Sequence, residues 1–280
     1  MNESYIALMI GNSRLHWAWF KDVTFQAWDT DHLSITVVES LMQSWASGVA
    51  LKEILPRSLS QYSSECQLPL YIASVVPAQT KLWQSYPGAK VITLDDLPLK
   101  AVYPSLGIDR ALAVLGAGEV YGYPTLVIDG GTALTFTGAD AELRLIGGAI
   151  LPGLGLQLQS LAQKTAALPE TQLPTQLPPR WAIQTNTAIE SGVIYTILAG
   201  IRDFIEDWRC QFPDSKIALT GGDAAVLFSY LQVQFPEIAR QVVVDSNLIF
   251  WGMGACSSAE LRSASLTLSL NLKINQTNFG

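Results

Sequence analysis

The chain has 280 residues and a net charge of −7. An acidic protein of this size has no general attraction for nucleic acid or anionic lipid, so neither is expected as a partner. Any phosphate it binds must be held locally, by backbone N–H groups, metal ions or single basic residues. No run approaches the about 18 consecutive apolar residues of a membrane span, and MNESYIALMI has no basic segment ahead of its apolar run, as a secretory signal would. The three cysteines, Cys66, Cys210 and Cys256, are far apart and lack C-x-x-C spacing. They read as small buried hydrophobes in a reduced, cytoplasmic compartment. The two histidines, His16 and His32, lack metal-ligand spacing, and His16 alternates with apolar neighbours as a strand-face residue does.

In chain order, YIALMI, LHWAWF and VTFQAW read as three strands joined by the turns GNS and KD. ITVVESLMQSWASG reads as a helix ending at Gly48. LPLYIASVVP is a buried strand stopped by Pro77, AQTKLWQSY a short helix and AKVITL another strand. IDRALAVLGAGEVYG is helical, starting close to Asp109. TLVIDGG, TALTFTG and LRLIGGAIL then repeat the three-strand opening. GLQLQSLAQKTAAL is an amphipathic helix with Leu156, Leu158, Leu161 and Ala162 spaced for one face. LPETQLPTQLPPRW has four prolines and no apolar period. It is a loop of about a dozen residues, a length that is often functional. TAIESGVIYTILAGIRDFIEDWRCQF is a long helix, and KIALTGGDAAVLFSYL is strand, glycine turn, helix. The tail from Ser257 holds LTLSLNLKI, whose strict alternation suits either an added edge strand or a frayed end.

The repeat implies an α/β protein of two related domains, residues 1–104 and 105–280, facing each other across a cleft that would bind the ligand. The tail 257–280 has no assigned place, and the last helix could pack back on the first domain. Three glycine turns stand out. Gly11-Asn12-Ser13 and Gly130-Gly131-Thr132 occupy the same place in the two copies, where unpaired N–H groups and a hydroxyl could surround phosphate oxygens. TGGDA, residues 220–224, opens a helix N-terminus to a ligand. A lone glycine at a hairpin tip is usually just a turn residue, so the pairing of the copies carries the signal. Asp129 ends an apolar strand beside the second turn, where a carboxylate needs a cation or donors. Asp109 stands at a helix start, a place that suits aspartate through the helix dipole alone.

Several stretches together resemble type III pantothenate kinases, of the superfamily of acetate kinase, sugar kinases and actin. Tyr103, Pro104, Leu106-Gly107 and Asp109-Arg110 match that family's Y-x-P-x-x-L-G-x-D-R region, with one residue fewer before Leu-Gly. IDGGTALT matches its D-x-G-T motif, GGAILPG its G-G-x-I-x-P-G stretch, and IASVVP its S-S-V-V-P strand with Ala73 for the first serine. TNTAIESGVIYTILAGI resembles its N-T-x-x-A-x-x-S-G-x-x-Y helix start, and TGGDA closes the series. The resemblance runs from about residue 5 to 254 in the family's order. It implies two duplicated ribonuclease H-like, actin-like domains and the transfer of phosphate from ATP to pantothenate, the first step of coenzyme A synthesis.

By position, the resemblance makes Asp109 the general base. Tyr103, Gly107, Ile108, Asp109 and Arg110 would hold pantothenate, together with Thr185, or Thr187 if the register differs by two. The first hairpin, Met9, Ile10, Gly11, Asn12, Ser13, Arg14, Leu15 and His16, would contact ATP with Thr132. Asp129 would bind a monovalent cation, K⁺ or NH₄⁺, and Mg²⁺ would accompany ATP. A homodimer is implied, with the partner chain lining the substrate pocket.

One position departs from the family. Its first hairpin reads D-x-G-N-T, and here Met9 replaces the aspartate and Ser13 the threonine. A thioether is a poor ligand for a hard cation. Three readings follow: metal held by phosphates, waters and a remaining carboxylate; a slow enzyme; or a non-catalytic accessory protein on the same fold. A kinase of another small alcohol is a further alternative.

Overall fold

A computed structural model of the chain describes residues 4–21, 24–46 and 68–256. The first strands are β1 (Tyr5–Ile10), β2 (Leu15–Lys21) and β3 (Thr24–Thr30), followed by α1 (Ile35–Ala46), β4 (Leu70–Ser74), α2 (Pro77–Trp83), β5 (Ala89–Val91) and α3 (Ile108–Tyr121). The second series is β6 (Thr125–Gly130), β7 (Ala133–Ala139), β8 (Leu145–Pro152), α4 (Leu154–Lys164), α5 (Thr185–Gln211), β9 (Lys216–Thr220), α6 (Ala224–Gln234), α7 (Pro236–Ala239), β10 (Val242–Val244) and α8 (Leu248–Ala255).

Each series builds a five-stranded sheet, in the orders β3-β2-β1-β4-β5 and β10-β9-β6-β7-β8. The first three strands of each are antiparallel, and the last two join in parallel beside the first. The two halves therefore share one topology, that of a ribonuclease H-like domain, and the α/β duplication expected from the sequence is present. The equivalence holds residue by residue: Met9 pairs with His16 and Ala73, as Asp129 pairs with Thr135 and Thr220.

The compact units do not follow a single cut at residue 104. One gathers the described residues of Met1–Pro98, Val102–Val120 and Ile249–Gly280; the other contains Leu99–Ala101 and Tyr121–Leu248. Both α3 and the body of α8 thus join the first sheet. The reason is close packing: a Cβ on Gly252 would collide with the backbone carbonyl of Leu112, so only glycine lets the two helices approach there.

In the first unit the alternation of β1 and β2 divides the side chains between two faces. Ile6, Leu8, Ile10, Leu15, Trp17 and Trp19 pack with Val38, Leu41 and Met42 of α1 and Trp83 of α2. The opposite face carries Tyr5 stacked on Phe20, and Phe25 lies 4.6 Å from Trp251 of α8 between ring centroids. In the second unit α5 presents Ile194, Ile197, Leu198, Ile201 and Ile205, spaced three and four apart, to Leu126, Ile128, Leu134 and Phe136 of the sheet. Each such side chain, fully buried, contributes about 1.5–3 kcal/mol.

Two expectations need correction. The buried positions of α4 are Leu154 and Leu158, with Leu161 packed beside them, whereas Leu156 is exposed. Cys256 is buried as expected, but Cys210 is exposed on α5 and is no core hydrophobe; Cys66 lies outside the described residues. The last apolar run before α8 forms β10, too short to show a period. Helix α1 is described to Ala46, so its expected end at Gly48 and the tail beyond Cys256, LTLSLNLKI included, fall outside the described residues. Among the described residues no helix is long and apolar enough to cross a membrane.

Candidate active site

The first hairpin joins β1 to β2 through Gly11–Arg14, closed by the Gly11 amide donating to the Arg14 carbonyl at 3.0 Å. Among the described residues the amides of Asn12 and Arg14 have no partner, so both can donate to an anion at the tip. Met9, Ile10 and Leu15 are fully buried, so a nucleotide could meet them only through the backbone. Asn12, Ser13 and Arg14 are exposed. His16 is half-exposed at the start of β2. Its Nδ1 lies 2.8 Å from Asp29 Oδ1 on β3. His32 holds the turn from the other side, its Nε2 donating to the Gly11 carbonyl at 3.0 Å and the Asn12 carbonyl at 3.2 Å.

In the same unit, Tyr103 to Arg110 form a turn running into α3. The Leu106 amide donates to the Tyr103 carbonyl, and the Ala111 amide to the Gly107 carbonyl. Asp109 occupies the first turn of α3, where its charge meets the helix dipole favourably. Its Oδ1 accepts from the Arg110 amide at 2.8 Å, while Oδ2 has no partner among the described residues. A side chain on Gly107 would strike Asp109 Oδ1, so the glycine is what allows the carboxylate this position. Arg110 is buried, and its Nη1 donates to the Tyr103 hydroxyl at 3.1 Å. A carboxylate, a guanidinium and a phenol are thus gathered within one turn of chain.

The second unit holds the other turns. Asp129 is the penultimate residue of β6 and half-buried. Gly130-Gly131-Thr132 leads into β7, with the Gly131 amide donating to the Ala133 carbonyl. The TGGDA turn is knitted to it: the Asp223 amide donates to the Gly130 carbonyl at 2.8 Å. Gly221 has φ +92, and a Cβ there would collide with both Asp129 Oδ1 and the Gly130 carbonyl oxygen. Glycine is needed at this position for its backbone and for its lack of a side chain. Gly221 therefore lets two oxygens, one anionic and one carbonyl, approach its backbone closely. Burial pushes the Asp223 carboxyl above its ordinary range.

Gly153, which ends GGAILPG, donates its amide to the Thr132 carbonyl at 2.9 Å, and a side chain there would strike the Gly131 carbonyl. Thr185 is exposed as the first residue of α5 and Thr187 is half-buried two residues further on. The preceding loop is pinned to this helix by Ser191 Oγ donating to the Arg180 carbonyl and Tyr195 Oη to the Pro178 carbonyl.

Met9–His16 and Tyr103–Arg110 therefore lie in one compact unit, and Asp129, Thr132 and Thr185 in the other. Sequence reasoning singled out TGGDA and GGAILPG without the individual contacts of Asp223 and Gly153, and it missed Asp29 and the contacts of His32. The histidine contacts join segments with no shared motif.

The description "Type III pantothenate kinase" belongs to the family model that matches residues 5–207. A type III pantothenate kinase of a Nostoc species is 51% identical over 259 residues, covering 90% of this chain and 94% of that one. One from a Synechocystis species is 45% identical, covering 90% of each. Among solved structures, a Baf family protein from Campylobacter jejuni has the same fold, with a TM-score of 0.55 at 20% identity, covering 89% of this chain and 94% of that one. With a family model matching residues 5–207 and relatives matched over nearly their whole length, the chain belongs to the type III pantothenate kinase family.

Proposed function

We propose that this chain transfers the terminal phosphoryl group of ATP to the hydroxyl of pantothenate, giving ADP and 4′-phosphopantothenate, with Asp109 as the general base. The observation that carries the assignment of the base is Asp109 Oδ2, without a partner among the described residues and next in the chain to buried Arg110, which bonds the exposed Tyr103. An alcohol is a weak nucleophile, and a positioned carboxylate accepts its proton as the new oxygen–phosphorus bond forms. The bond between the γ-phosphorus and the bridging oxygen to ADP breaks in line. Arg110 supplies a fork of donors suited to the pantothenate carboxylate, and Tyr103 fixes the orientation of that fork. Gly107 and Ile108 shape the same turn, and Thr185, or Thr187, completes the substrate contacts.

ATP is held by the tip of the first hairpin, Gly11 to Arg14, by the backbone around Met9, Ile10 and Leu15, by His16, and by Thr132 of the second hairpin. The carboxylate of Asp129 and the Gly130 carbonyl, both close to Gly221, are oxygen donors of the kind that could hold a monovalent cation. Among the described residues no three His, Cys, Asp or Glu side chains gather to hold a metal. Mg²⁺ commonly keeps several waters and binds through substrate phosphates and one or two carboxylates, so it would come with the nucleotide. Bound cations would neutralise phosphate charge. The protein's own groups position the two substrates and take the proton.

A homodimer is supported by apolar side chains left on the surface of the second unit. Trp181 and Ile183 are almost wholly exposed beside the start of α5, and Ile146 and Ile150 project from β8. A cytoplasmic enzyme agrees with the free thiols of Cys210 and Cys256.

A coupled assay of ADP release tests the reading. Turnover is expected with pantothenate and not with other small alcohols, and it is expected to need Mg²⁺ and to rise with K⁺ or NH₄⁺. Nucleotide binding without turnover, or turnover only with another alcohol, would contradict it.

A further inference from the structure

The paired registers place four residues in one row across each sheet, on one face. In the second sheet the row is Ile150, Thr135, Asp129, Thr220. In the first it is Asp29, His16, Met9, Ala73. The carboxylate has left the central strand and stands two strands away, joined to it by a histidine. Opposed side chains on neighbouring strands have Cβ atoms about 4.5–5.5 Å apart, so His16 reaches the space that a side chain at position 9 would serve.

The chemistry of the pair is directional. An ionised carboxylate can only accept, so the His16 ring donates from Nδ1 to Asp29. In the neutral imidazole that leaves Nε2 as an acceptor. Nε2 has no partner among the described residues, and it sits over Gly11: a Cβ there would lie 3.5 Å from it and 3.2 Å from the Arg14 carbonyl. His32 meanwhile clamps the carbonyls of Gly11 and Asn12. Both histidines of the chain thus serve one turn. Met9 itself is buried and presents no hard donor.

We propose that His16, oriented by Asp29, is the acceptor of the first hairpin, and that its Nε2 takes a hydrogen bond from water in the shell of the divalent cation carried by a bound nucleoside triphosphate. This rests on the reading that the first hairpin meets the nucleotide. His16 acts on the cation's waters, and Asp29 is a positioning residue that fixes the tautomer.

The test is calorimetric binding of a non-hydrolysable ATP analogue to the full chain, with and without Mg²⁺, alongside thermal melts. His16→Ala is expected to weaken the Mg²⁺ complex about tenfold, the scale of one hydrogen bond to a charged partner, and to leave metal-free binding within about twofold. Asp29→Asn, a change in an exposed pair, moves it the same way by about threefold. Adding Met9→Asp to His16→Ala restores the Mg²⁺ preference. Equal weakening with and without Mg²⁺ overturns the acceptor role. A His16→Ala protein that binds the Mg²⁺ complex as wild type does, while Thr132→Ala still weakens it, overturns the proposal and leaves the nucleotide reading standing. A wild-type chain that binds no analogue overturns both.

Discussion

The two halves of this protein are one design used twice, and they differ at the turns proposed to carry the chemistry. Strand order, pairing and even the helix starts agree: the residues Ala73-Ser74-Val75-Val76 before α2 stand in the same places as Thr220-Gly221-Gly222-Asp223 before α6. In the first half that turn is closed by Ser74, whose Oγ accepts from the Val76 amide at 3.0 Å. In the second it is opened by two glycines and pressed against Asp129. The helices that follow the fifth strands diverge likewise: α3 carries Asp109 in its first turn, whereas α8 has no acidic residue there. Duplication supplied two equivalent frames, and each kept a different part of the task. The first holds the proposed base and a histidine-supported hairpin, and the second holds the proposed cation site.

The sharpest break in that comparison is Asp109→Asn. It keeps the size and the helix start but removes the proton acceptor, and kcat is expected to fall by about 10²–10⁴ with ATP affinity little changed. Steady-state kinetics beside direct nucleotide binding reads both. Next comes Gly221→Ala, which meets a positive φ and a collision with Asp129 and Gly130 together. We expect a loss of about 2–4 kcal/mol in denaturant unfolding. Gly222→Ala, with open space around it, should cost less than about 1 kcal/mol. A smaller change is Thr132→Ala, which should raise the KM for ATP about tenfold while sparing pantothenate, since it removes one hydroxyl from the second hairpin.

The smallest effect concerns Asp223. Burial raises its carboxyl in the folded chain, so the folded state holds the proton longer than the unfolded one. Its contribution is then fully present below the ordinary carboxylate range and is lost as pH rises through the raised value. Asp223→Asn should flatten that part of the pH–stability curve and raise Tm slightly at neutral pH. A melt series from acid to neutral pH checks the sign.

Much of this was legible in the residues. The short apolar runs YIALMI and LHWAWF, and their return in TLVIDGG and TALTFTG, gave both meanders, because strands covered on both faces read as short apolar runs bounded by turn residues. The glycine turns and the contrast of Met9 with Asp129 were equally plain. What escaped reading depends on contacts between distant segments. Nothing local says that Gly252 must lie on Leu112, which is why α8 belongs with the first sheet. Nothing local ties His32 to the carbonyls of residues 11 and 12, or His16 to Asp29. Helix α4 shows the limit of periodicity: Leu154, Leu156, Leu158 and Leu161 suit two overlapping stripes, and packing on the sheet chose the one without Leu156.

The most direct measurement is the identity of the product. Wild-type protein with ATP, Mg²⁺, K⁺ and pantothenate, followed by mass spectrometry and phosphorus NMR, should give 4′-phosphopantothenate in step with ADP, and the Asp109→Asn protein should give almost none. ADP without a phosphorylated pantothenate, or undiminished product from Asp109→Asn, would contradict the account.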